Sequence, residues 1–181
     1  LYTVTQVKAG EGFALSPENA KPRRIEIAYA GQEVPVIYRD TVYENPRQKV
    51  RLAIEKQDTE NGKQVAGAVF GLYAAKDILD YRGRLLVKRD TLLGQAQTAQ
   101  NSEGKIEQAV FSQDLPLGSY YVKELQAPDG YAGSAIRVNA DASYREDQRE
   151  QIRLKGVVKN APIRVQINLM DWFTEAELSG A

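Results

Sequence analysis

Short runs of alternating apolar and polar residues, each closed by a turn-forming pair, constrain this chain more than any other feature. A two-residue period puts successive side chains on opposite faces, so such runs fold as half-buried β-strands. They cover residues 50–56, 68–74, 84–88, 96–99, 106–111, 120–125, 135–138 and 151–159. Asn61-Gly62, Arg82-Gly83, Glu103-Gly104 and Asp129-Gly130 supply turn chemistry between them. One short helical turn is expected at 74–79. Many short strands at this spacing imply an all-β, antiparallel β-sandwich.

The chain also repeats itself. Residues 2–13 align without a gap on residues 120–131, at an offset of 118. Glu44-Asn45-Pro46 and the Val50-Arg51-Leu52 that follows align on Lys159-Asn160-Ala161-Pro162 and Val165-Gln166-Ile167, at an offset of 115. With two residues dropped, Val65-Ala66-Gly67-Ala68 falls on Leu178-Ser179-Gly180-Ala181. We therefore expect the tail of one repeat at 1–47, a complete repeat at 48–164 and the head of a third at 165–181. A chain that starts at Leu1 and stops at Ala181 in this way reads as a segment of a longer tandem array.

Composition removes most chemistry. There is no Cys and no His among the 181 residues, so disulfides, thiolate nucleophiles, imidazole bases and the usual zinc, copper and haem ligands are missing. No cofactor or metal is expected. Twenty-four Lys and Arg balance 24 Asp and Glu, which leaves no net field for nucleic acid or anionic lipid. No apolar run approaches membrane-spanning length.

Side-chain parity singles out three polar residues. Val50, Leu52 and Ile54 share a face with Lys56; Tyr120 and Val122 share one with Glu124, while Tyr121 and Lys123 point outward; Ile152, Leu154, Gly156 and Val158 lead to Asn160. Each alone has an ordinary explanation, as a snorkelling lysine, a strand-ending acid and a turn residue before Pro162. A buried amine, acid and amide are each costly without partners, and the simplest joint solution is that they meet.

Three strings carry a resemblance. Gly67-Ala68-Val69-Phe70-Gly71-Leu72-Tyr73, then residues 114–124 (Asp-Leu-Pro-Leu-Gly-Ser-Tyr-Tyr-Val-Lys-Glu), then Ala127-Pro128-Asp129-Gly130-Tyr131 resemble the Cna B-type, or SpaA-type, domain of Gram-positive surface proteins and pilins. The resemblance spans the whole central unit. It implies an immunoglobulin-like, transthyretin-like sandwich and a spontaneous isopeptide bond, with Lys56 and Asn160 as the bonded pair and Glu124 as promoter. Burial disfavours charge, so a neutral amine and a protonated acid can coexist. The acid then polarises the amide carbonyl and relays a proton as ammonia leaves. A bond enclosing 103 residues would stabilise by roughly 4 to 5 kcal/mol in the chain-entropy model.

The neighbours depart from this set. Gln6 stands at the Glu124 position beside a retained Asn45, and Lys56 falls opposite Asp171, or Leu169 if the gap comes earlier. The resemblance thus implies a structural stalk or backbone module, extracellular and attached to the cell wall through an anchor elsewhere, with neighbouring repeats as partners and self-modification without turnover. The alternative is an adhesin module that binds a host matrix protein or glycan through exposed loops. A hydrolase built on Asp77 with Asp80, or Glu146 with Asp147, is the weakest reading, since adjacent acids in turns are usually solvated.

Overall fold

The computed structural model describes residues 1–31, 41–80, 82–146, 149–165, 167, 170 and 173. Among the described residues there are β-strands and no helix. The strands are β1 (Tyr2–Val4), β2 (Arg23–Ile25), β3 (Lys49–Asp58), β4 (Val69–Ala74), β5 (Ile78–Leu79), β6 (Leu85–Val87), β7 (Leu92–Gln97), β8 (Ala99–Gln100), β9 (Ile106–Glu107), β10 (Ala109–Leu115), β11 (Gly118–Gln126), β12 (Arg137–Ala142) and β13 (Gln151–Asn160).

Two sheets enclose one core. One has the order β10-β3-β13, the other β12-β11-β4-β7. The apolar residues selected by alternation, among them Val50, Leu52, Ile54, Phe70, Leu72, Phe111, Tyr120, Val122, Ile152 and Val158, form a single buried cluster between the sheets. β5–β6 and β8–β9 are small hairpins, and β1 pairs with β2 in a separate ribbon. The expected all-β sandwich is the observed one.

Several details differ from the sequence reading. The first and last strands of the central unit, β3 and β13, pair in parallel over ten residues within an otherwise antiparallel arrangement. Residues 74–79 form no helical turn, because their backbone is drawn into tertiary pairing: Ala75 N–H donates to Ser119 O and Ala74 O accepts from Asp90 N–H. The strand expected at 96–99 begins at Leu92, and a bulge opposite Leu72 and Tyr73 breaks its alternation there. The strand expected at 135–138 runs Arg137–Ala142, where the small Ala140 and Ala142 face inward. Tyr121 is on the outer face as expected, yet it is covered: it stacks on Tyr73 at 5.1 Å, lies under the Arg137 guanidinium and donates to Asp90.

Some hydrogen bonds recur at the offsets of the sequence alignment. Ala14 N–H donates to Pro46 O (2.8 Å) and Gln48 N–H to Gly12 O (2.8 Å); Ala132 N–H donates to Ala161 O (3.0 Å) and Ile163 N–H to Gly130 O (2.8 Å). These are the same bonds displaced by 118 residues on one side and 115 on the other. The isolated bridges Phe13 with Arg47 and Tyr131 with Pro162 obey the same offsets. Gly12 and Gly130 hold φ of +82° and +79°, the left-handed conformation that glycine adopts without a Cβ penalty. Register agrees as well, since Tyr2 opposes Ile25 as Tyr120 opposes Ala140. Each exit segment is thus latched to a glycine turn. In the third copy, Leu169, Asp171 and the match at 178–181 lie outside the described residues.

The first latch has an added clamp. Gln48 is fully buried, its amide nitrogen donating to Arg145 O (2.8 Å) and its oxygen accepting from Arg145 N–H (3.2 Å). Ile163 occupies the corresponding position after β13 and has no amide to do this.

Gly156 sets how closely the two sheets approach beside β13. A Cβ there would lie 2.6 Å from Val138 Cγ1 and 2.9 Å from Ile54 Cδ1, both in the packed interior. Gly156→Ala is expected to lower stability by about 1–3 kcal/mol through overpacking. Gly133→Ala, with nothing within 4 Å of the added methyl, should stay within about 0.5 kcal/mol of the parent. Urea denaturation of both variants checks the contrast.

Candidate functional site

Lys56, Glu124 and Asn160 converge at one end of the core. Their exposures are 0%, 7% and 2%, so all three are buried, as parity requires. β3 sends Val50, Leu52, Ile54, Lys56 and Asp58 inward, and its parallel partner β13 puts Val158 opposite Lys56 and Asn160 opposite Asp58. A lysine on β3 therefore needs to lean only two residues along its neighbour to approach Asn160. Glu124 comes from the other sheet, opposite Phe70 on β4, and a bulge at Leu125 follows it directly. Such bulges re-aim side chains at the ends of strands.

The contacts are specific. Asn160 Nδ2 donates to both carboxylate oxygens of Glu124, at 2.9 Å each. Ser134 N–H donates to Glu124 Oε2 at 2.7 Å. The Lys56 ammonium donates to Val158 O at 3.4 Å and Gln57 O at 3.3 Å. Asn160 Oδ1 is buried without a hydrogen-bond partner. Because a half-turn about the Cβ–Cγ bond exchanges oxygen and nitrogen, the same pocket can present the amide oxygen to Glu124, provided the carboxyl carries a proton.

Burial pulls the Lys56 amine below its ordinary value, against the pull of the Glu124 and Asp58 carboxylates in the other direction. Asp58 was not selected from the sequence. Its signal was there: it is the next residue of the same parity after Lys56, and it is 5% exposed. Its Oδ1 accepts from Glu60 N–H (2.6 Å) and Asn61 N–H (3.3 Å), and its Oδ2 from the Tyr131 hydroxyl (3.0 Å). These donors, the Glu60 amide foremost, hold Asp58 below the usual carboxylate range.

The counterpart residues in the first copy are engaged elsewhere. Gln6 donates to Lys8 O, and Asn45 accepts from Asn19, which also binds Arg23. Asp77 and Asp80 act as turn acceptors, Asp77 for Arg89 N–H and Asp80 for Arg82 and Arg84 N–H. Asp147, the partner suggested for Glu146, lies outside the described residues. Among the described residues there is no cluster of metal-binding side chains, and no helix is long and apolar enough to cross a membrane.

The two-sheet sandwich defines the fold class, and comparison with known protein families agrees with it. The family model for the SpaA prealbumin-like fold domain matches residues 50–151, more than half of the chain. The chain belongs to this family. The match includes Lys56 and Glu124 and ends before Asn160. Among solved structures, the Bacillus anthracis TIE protein is similar at 22% identity over 90% of this chain and 25% of that one, with a TM-score of 0.55. The group B streptococcus pilus 2b backbone protein matches at 18% identity over 68% of this chain and 46% of that one (TM-score 0.43). The shaft pilin spaA of Lactobacillus rhamnosus GG matches at 15% identity over 67% and 50% (TM-score 0.40). The chain thus spans a quarter to a half of the length of these proteins. No curated protein matches it.

The buried amine has a consequence for stability. With its folded value below the ordinary 10.5, the unfolded chain binds more protons between the two values, so stability rises with pH through that window. Asn160→Ala keeps the amine free under any chemistry, and its urea midpoint should rise as the pH is raised toward 10.5. Lys56→Met combined with Asn160→Ala should flatten the rise. Equal slopes in the two variants would assign it to other groups.

Proposed function

We propose that residues 48–164 form a structural stalk or backbone module of a tandem-repeat, extracellular, cell-wall-attached surface protein or pilus, stapled by a Lys56–Asn160 isopeptide bond that Glu124 promotes. The observation that carries this reading is the Asn160 amide, held 2.9 Å from both oxygens of Glu124 in a core that also contains the Lys56 amine. In the proposed step the neutral Nζ of Lys56 attacks Cγ of Asn160, and the bond from Cγ to Nδ2 breaks. One proton passes from the amine through Glu124 to the departing nitrogen, so amine and carboxamide become a secondary amide and ammonia. The contact of Nδ2 with the carboxyl suits delivery of that proton, and the alternative rotamer suits polarisation of the carbonyl. Each molecule reacts once, so the module is not an enzyme.

Topology supports a load-bearing role. Because β3 and β13 are parallel, tension applied at residues 49 and 160 shears a ten-residue ladder in place of peeling it bond by bond. A covalent link between 56 and 160 would carry that load past the intervening chain. The neighbouring repeats at 1–47 and 165–181 are the natural partners, and the latch at Pro46–Gln48 is a hydrogen-bonded joint suited to them. The alternative of host matrix protein or glycan binding has less support, since Tyr120, Tyr121 and Tyr131 spend their hydroxyls inside the fold, on Pro116 O, Asp90 and Asp58.

Intact mass tests the reading. The folded chain should weigh one ammonia less than its sequence requires, and a digest should contain a branched peptide joining the segments around residues 56 and 160. Glu124→Ala should restore the full mass and remove the branch, with a loss of roughly 4 to 5 kcal/mol of stability by analogy with a disulfide closing a comparable loop. A wild-type chain at full mass would overturn the proposal.

A further inference from the structure

We infer that Asp58, held in place by Tyr131, is a fourth member of this site: a fixed counter-charge that keeps the buried Lys56 amine positioned and soluble in the core until it reacts. The inference deepens the cross-linking reading and rests on it for its purpose. Its physical basis is independent. Asp58 follows Lys56 by two residues on the inward face of β3, and its register partner across the parallel ladder is Asn160. Thr59 N–H donates to Asn160 O at 3.0 Å, which ties the backbones of β3 and β13 together at this point.

The carboxylate is fixed from both sides. The 58–63 turn supplies two amide donors to Oδ1, and the Tyr131 hydroxyl supplies a third to Oδ2 from the glycine turn that latches β13. A carboxylate with three donors stays ionised and immobile. Around the amine, the charged groups are Asp58 on its own strand and Glu124 on β11, and β13 contributes the Val158 carbonyl. Glu55 and Glu107 line a small gap together with Lys56, Gln64, Ile106 and Gln108.

The two acids thus divide the work. Glu124 touches the reacting amide, whereas the Asp58 carboxylate accepts from Glu60, Asn61 and Tyr131 and acts on the amine through space. The repeat supplies a comparison inside the same chain. At the position of Tyr131 the first copy has Phe13, which lacks the hydroxyl, and at that of Glu124 it has Gln6. The tyrosine hydroxyl therefore occurs in the copy that also holds the lysine, acid and amide together.

The test reads the amine directly. In protein carrying 13C-labelled lysine, the Lys56 ε-carbon shift is followed against pH in the Asn160→Ala chain, where the amine is free whatever the wild type does. Adding Asp58→Asn keeps an acceptor for the turn and removes the charge. It should lower the titration midpoint by about one pH unit. Asp58→Glu should return most of the difference, which a merely structural role for the turn would not do. If Asp58→Asn does not fold, Asp58→Ser, whose hydroxyl also caps such turns, reads the same shift. A midpoint that does not move with the charge overturns the inference. An unreacted wild-type mass would instead overturn the cross-linking reading, so the two failures are told apart.

Discussion

A lysine with no exposed surface is the constraint on which the central module turns. Placing an amine in the packed interior beside Val158 costs free energy that a methionine of similar volume would not. The module offsets that cost with two backbone carbonyls and two carboxylates, drawn from β3, β13 and β11. Each compensating group has to arrive from a different part of the fold. The parallel pairing of β3 with β13, the bulge after Glu124 and the turn at 58–63 are therefore parts of one arrangement. A shift of one residue in any of these strands would turn its polar residue to solvent and leave the amine unmatched.

The same arrangement explains where the chain can repeat and where it cannot. Latches at Gly12 and Gly130 involve backbone only, and they recur with the same bonds although residues 46–48 and 161–163 have no identical side chains in register. Polar side chains are less portable. Gln48 needs the Arg145 backbone beside it, Tyr131 needs Asp58, and the first copy uses Asn19 and Arg23 to hold its own Asn45. The backbone latches thus recur while the buried polar side chains beside them differ. The joint before the central module, with a buried glutamine bonded twice to Arg145, is tied to more of its own module than the one after it, where Ile163 stands.

How much of this was legible in the sequence follows from which interactions are local. Parity is a property of single strands, and it placed Lys56, Glu124 and Asn160 on the core face with no knowledge of their partners. It stopped two residues short on β3, because Asp58 reads as the start of the Asn61-Gly62 turn as readily as the end of a strand. Strand β7 was misjudged where a bulge puts the exposed Leu92 beside a half-buried Leu93, so alternation fails there. Residues 74–79 read as a helical turn since nothing local says that Ser119 and Asp90 will take their hydrogen bonds. Parallel pairing of the first and last strands was invisible for the same reason: it is set by how two sheets close, over a separation of about a hundred residues.

That closure also decides how the module meets force. In a parallel pair the chain enters at one end of the ladder and leaves at the other, so tension along the chain loads all of its hydrogen bonds together. Lys56 lies near the exit end, opposite Val158, and the Tyr131 latch lies just beyond it. A link from Lys56 to Asn160 would therefore hand tension from β3 to the exit segment at the point where the sheet ends. Residues 57–159, which include the bulged strands and all the small hairpins, would then sit outside the load path. Under this proposal the interior can keep its bulges, exposed leucines and marginal two-residue strands without weakening the stalk, because none of them lies between the two ends that are pulled.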